Sequence, residues 1–109
     1  MDLPFYNKEI KIIDGLGFKY YEGEITDRHK TEGGNLLITI ATPSLVRERY
    51  GVVSKVKVDH PSMNFLVPKR REFLWNKLNE VPLKTKILVQ LQPEARSGKF
   101  CVSEFHISR

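Results

Sequence analysis

Two runs of strand-forming residues, separated by a polar segment that carries glycines, constrain this chain more than any other feature. Residues 18–27 are rich in aromatic and β-branched side chains, and residues 36–42 are apolar almost throughout. Both compositions suit a pleated, half-buried surface. The polar residues between them include Gly33-Gly34 and read as a turn, and Pro43 is expected to end the second run. The pair is therefore a predicted β-hairpin with a flexible tip. Gly23 interrupts the first strand, as at a bulge or a sharp coil.

The rest of the chain continues in short elements. Residues 44–50 read as one helical turn or a loop. In residues 52–60, Val52, Ser54, Val56 and Val58 share one face, while Val53, Lys55, Lys57 and Asp59 share the other. This pattern predicts a third strand with a partly basic face, stopped by Pro61. Residues 65–67 extend it or begin a new short segment. Residues 68–79 are the one good helix candidate: proline suits a helix start, Leu74, Trp75 and Leu78 form an apolar stripe, and Pro82 ends the run. Residues 84–92 and 99–107 read as two more strands around a loop at 93–98.

Five strands with one helix between the third and fourth match the element order of an OB-fold, a partly open Greek-key barrel. The expected fold class is thus mainly β: a five-stranded OB-fold barrel over residues 18–109. Residues 1–17 form an N-terminal arm or an extra strand, with Ile10 to Ile13 leading into an Asp14-Gly15 turn.

A chain of 109 residues suits one domain and can bury a core without staples. Its single cysteine, Cys101, makes neither an internal disulfide nor a zinc site by itself, which fits a reducing cytoplasm. The first residues lack the basic and apolar regions of a signal peptide, and no apolar run is long enough for a membrane helix. The net charge of +5 is uneven. Residues 1–43 hold five Lys and Arg against seven Asp and Glu; residues 44–109 hold thirteen against six. Such asymmetry points to an anionic partner for the second part.

Residues 21–27 (Tyr-Glu-Gly-Glu-Ile-Thr-Asp), the Gly33-Gly34-Asn35 tip and residues 36–42 (Leu-Leu-Ile-Thr-Ile-Ala-Thr) together resemble the opening hairpin of bacterial single-stranded DNA-binding proteins. Residues 75–89 resemble that family's helix and following strand, and residues 100–107 its final strand. The likeness covers residues 18–107 in pieces. The lone Trp75 lies in the helix, whereas the family's characteristic tryptophan opens the third strand. The resemblance implies a divergent relative, from a phage or plasmid and connected with DNA replication, that assembles as a homo-oligomer.

Single-strand binders need cations for phosphates and flat rings for stacking. The candidates are Lys19, Tyr20 and Tyr21 on the first strand and Lys55, Lys57 and His60 on the third. Phe65, Lys99 and Phe100 lie further along, with Arg28, His29, Lys30 and Arg96 in the loops that flank an OB binding face. The alternative is that the rings are core and the lysines solvated. Lys69, Arg70 and Arg71 are expected in the first turn of the helix, where the dipole disfavours cations. They form either a phosphate site or a solvated cluster.

No residue spacing suggests a catalytic pair, a metal site or a phosphate loop. Glu22 and Glu24 share a strand face; they either bind a cation or face solvent, and the solvent-facing pair is the expectation. The sequence therefore predicts non-catalytic binding of single-stranded DNA, or RNA, with little sequence preference and no cofactor. The competing reading is an OB-type protein-interaction module.

Overall fold

The computed structural model describes residues 11–12, 17–95 and 97–108. It is mainly β, with six strands in one sheet and one short helix. In chain order the elements are β1 (Lys19–Lys30), β2 (Leu36–Arg49), β3 (Val52–Lys57), β4 (Ser62–Val67), α1 (Glu72–Glu80), β5 (Lys86–Pro93) and β6 (Phe100–Ile107). Among the described residues, no helix is long and apolar enough to cross a membrane. Of the expected N-terminal arm, only Lys11, Ile12 and Gly17 are described; the Asp14-Gly15 turn and Arg96 lie outside the described residues.

The ladders run from β1 to β5, β6, β4 and β2, and β2 pairs again with β1. All are antiparallel except β4 with β6, which meet in parallel at Leu66 and Cys101. Alternating side chains of these strands point into one core. Ile25, Ile38, Val67, Ile87, Val89, Val102 and Phe105 are fully enclosed there, and Leu78 and Val81 close one end from α1 and the residue after it.

The first correction concerns Pro43, which does not end a strand. β2 continues through it to Arg49, so residues 44–50 are neither a helical turn nor a loop. The proline sits in a bulge. Glu22 pairs with Ser44 and Glu24 with Ala41, which leaves Thr42 and Pro43 opposite Gly23 alone. A bulge is where a sheet tolerates a residue with no N–H. Thr42 takes φ +46° and donates its N–H to the Pro61 carbonyl at 2.9 Å. Gly23 is required at this crossing, because a Cβ there would lie 2.4 Å from Ile40 Cγ2 and 2.8 Å from the Ala41 carbonyl oxygen.

The second correction concerns the expected third strand, which ends at Lys57, while residues 65–67 belong to a separate strand, the second of the two alternatives that the sequence left open. β3 is exposed along its whole length and pairs only with the far half of β2. The place beside the buried half of β2 belongs to β4. Alternation alone does not distinguish a covered strand from a solvated one, hence six strands where five were expected.

The third correction concerns the helix, which begins at Glu72. Pro68 to Arg70 form a turn instead, closed by the Arg71 N–H on the Pro68 carbonyl at 3.0 Å.

Candidate nucleic-acid interface

Three connections converge at one end of β2 and β4. The β1–β2 connection is tied rather than flexible. The Thr31 N–H donates to the Asn35 carbonyl at 2.8 Å, Gly34 to the Thr31 carbonyl at 3.0 Å, and Asn35 to Thr31 Oγ1 at 3.1 Å. Gly34 holds φ +85°, which glycine adopts without strain. The turn after β4 is fixed to this loop by the Lys69 N–H on Asn35 Oδ1 at 2.9 Å. The half-buried Trp75 donates its indole N–H to the Gly34 carbonyl at 3.1 Å.

The third connection, between β5 and β6, closes through the Glu94 N–H on the Lys99 carbonyl at 2.7 Å. Arg70 bridges it to the turn after β4 by placing Nη2 on both Glu94 carboxylate oxygens. That contact raises the Arg70 pKa and lowers that of Glu94. Burial pushes the neighbouring Cys101 thiol up, and the Glu94 carboxylate adds to the effect. Asn35, Leu66, Arg70, Ser97, Lys99 and Cys101 lie around a groove of about 560 Å³ between the three connections.

The sequence-predicted residues divide into four groups. Arg70 and Lys99 line the groove, the Lys69 side chain lies along Gly34 of the β1–β2 connection, and Arg71 occupies the N-cap position of α1 without a side-chain capping bond. The Arg71 Nε is buried without a hydrogen-bond partner among the described residues. Lys69 and Arg70 precede the helix and Arg71 is its N-cap, so Glu72 is the charged residue of the first turn, where the dipole favours it.

Lys30 and Lys19 each lie over a half-buried ring: Lys30 Nζ is 5.4 Å from the Trp75 centroid, and Lys19 Nζ is 4.5 Å from that of Phe100. Lys55 and Lys57 sit on β3, far along β2 from the groove.

Three residues are corrected outright. Tyr20 is 2% exposed; it packs with Val46 and Leu88 in a second, smaller cluster, and its hydroxyl accepts from Gln90 Nε2 at 2.9 Å. Phe65 is buried in the main core, with Tyr21 packed against it at 5.3 Å between ring centroids. Adjacent strand residues face opposite sides; Tyr20 is the enclosed one of the pair, while Tyr21 is half-buried and lines a surface cavity with Lys19 and Phe100. Arg28 donates Nη1 to the Leu78 carbonyl at 3.1 Å and to the Val81 carbonyl, capping the C-terminus of α1.

Glu22 is corrected as well, because it is buried. Its carboxylate accepts from Lys55 Nζ at 2.9 Å and from Ser108 Oγ, with Lys86 Nζ at 3.5 Å. Burial alone would raise its pKa, but the hydrogen bonds from Ser108 and Lys55 and the two lysine charges outweigh it and hold the group below its ordinary value.

Sequence reasoning missed Trp75 and Asn35 as site residues. The periodicity assigned Trp75 to the core, and only its hydrogen bond to the β1–β2 loop distinguishes it. No group of three or more His, Cys, Asp or Glu among the described residues could hold a metal ion. No family model matches the chain, and no curated protein matches it.

Proposed function

We propose that the chain is an OB-type barrel that binds single-stranded nucleic acid without catalysis, and that it is a divergent relative of the single-stranded DNA-binding proteins. One observation carries the reading: Arg70 and Lys99, drawn from two separate connections, line one groove beside the β2–β4 face, and the Lys69 side chain lies along Gly34 of the adjoining β1–β2 connection. That face and its flanking loops are where OB barrels take oligonucleotides. The ladder circuit through β1, β5, β6, β4 and β2 is compatible with such a barrel. Lys30 and Trp75 continue the surface with a cation and a flat ring, the two components that single strands require. RNA is equally compatible, because nothing in the groove singles out a 2′-hydroxyl.

The test is titration of fluorescent oligo-dT at several salt concentrations. Binding should weaken with salt, with a log–log slope of about −0.7 for each phosphate neutralised. Changing Lys69 and Lys99 together to Gln should lower affinity and flatten that slope by about 1.4. Absence of binding at low salt would sink the proposal. It would leave the interaction-module reading, which the exposed valines of β3 favour.

A further inference from the structure

The groove between the three connections already holds an anion, the Glu94 carboxylate, with Arg70 Nη2 on both of its oxygens. Each partner stands on a piece of backbone that is closed without the other. The Glu94 N–H donates to the Lys99 carbonyl at 2.7 Å, and the Glu94 carbonyl accepts from the Gly98 N–H at 2.8 Å. Gly98 holds φ +69°, which lets the loop turn back on itself. Arg70 lies in the turn closed by Arg71 on Pro68 and fixed to Asn35 through the Lys69 N–H. The ion pair therefore spans two connections that their own backbone bonds already shape.

A carboxylate offers a guanidinium what a phosphodiester offers it: two oxygens that share one negative charge. Arg70 carries five N–H donors, and the contact with Glu94 engages Nη2, leaving Nε and Nη1 outside it. The Arg70 side chain is 62% exposed and that of Glu94 20%. Ion pairs this open to water are weak and readily exchanged. Each partner nonetheless holds the other in its charged form, since the contact raises the Arg70 pKa and lowers that of Glu94.

We propose that Glu94 is an internal competitor for Arg70: its carboxylate stands where a strand phosphate would, and single-stranded nucleic acid binds by taking Arg70 from it. The inference rests on the nucleic-acid reading of this groove and deepens it. An isolated phosphate gains little from the exchange, because one anion merely replaces another. A strand gains more, because its next phosphates meet Lys99, which lines the same groove. The exchange thus selects chains of phosphates over single ones.

The test is titration of the full chain with oligo-dT at several salt concentrations, with three variants. Glu94→Gln removes the charge and keeps the size; it should bind about two- to fivefold more tightly, with an unchanged melting temperature. Glu80→Gln makes the same change of net charge at the exposed far end of α1, and should give a smaller gain. Adding Arg70→Gln to Glu94→Gln should abolish the gain and flatten the log–log salt slope by about 0.7, the share of one phosphate. Inorganic phosphate, set against chloride at equal ionic strength, should compete with oligo-dT more strongly on Glu94→Gln than on the unaltered chain. If Glu94→Gln gains no more than Glu80→Gln, or binds more weakly than the unaltered chain, the pair is a brace and the inference is overturned. It is overturned too if the double variant keeps the gain, or if phosphate competes equally on both chains. Each of these outcomes leaves oligo-dT binding by the unaltered chain, and with it the functional reading, in place; absence of binding by every chain removes both.

Discussion

β2 is one strand with two different lives. From Leu36 to Ala41 it runs between β1 and β4, and Leu36, Ile38 and Ile40 are sealed at 1% exposure or less. From Ser44 onward it runs between β1 and β3, then with β3 alone, and Arg47 and Arg49 stand exposed. Both halves alternate and both make full ladders. The difference lies in what covers them: α1 and the opposite strands cover the first half, while β3 beside the second is itself exposed. Backbone pairing therefore sets where a strand runs, and stacking onto a second layer sets whether it holds the fold together. The groove belongs to the first half and rests on fixed connections. The valines of β3 belong to the second, which is tied to the body of the sheet by the Lys55–Glu22 ion pair.

The sharpest way to break this comparison is to truncate one side chain in each half. Ile38→Ala should cost about 3–4 kcal/mol of stability by chemical denaturation, since it opens a cavity in a closed core. Val56→Ala, with 60% of the residue already exposed, should change monomer stability by less than about 0.5 kcal/mol. Comparable costs at the two sites would mean that the ribbon is covered as well as the core.

The joint between the halves should come next. Gly23→Ala places a methyl group against Ile40 and the Ala41 carbonyl, and should cost about 2–3 kcal/mol, within the usual range for overpacking. A neutral result would show that the bulge at Thr42 and Pro43 relaxes freely.

The smallest effect sharpens the comparison through pH. Glu22 ties the ribbon to the body through Lys55, and to the C-terminal end through Ser108. Because its folded pKa lies below the ordinary glutamate value of 4.5, its contribution is complete above about pH 4.5 and is lost as pH falls through the folded value. Glu22→Gln should therefore lower stability by about 1–2 kcal/mol at neutral pH. In paired melting curves, the gap to the unaltered chain should close toward strongly acid pH. A gap that persists there would mean the carboxylate charge is not what binds the ribbon.

Much of this molecule was legible in the order of its residues. The opening hairpin, the helix stripe of Leu74 and Leu78, and the last two strands all follow from periodicities that local geometry imposes on any chain. The cations of the groove were legible as a set, because charge is visible without a fold. Which of them converge was not. Arg28 and Lys99 both read as cations near the ends of strands, yet Arg28 caps the C-terminus of α1 while Lys99 lines the groove. Tyr20 and Phe65 read equally as stacking rings or as core, and only partners from distant strands decide for the core. Pro43 read as a terminator because its missing N–H is a local fact, whereas the bulge that absorbs it exists only once β1 lies alongside. Sequence determines what each residue can do with its near neighbours; burial and ion pairing depend on residues many positions away, brought close only by the closed course of the ladders, and so tertiary structure alone decided them.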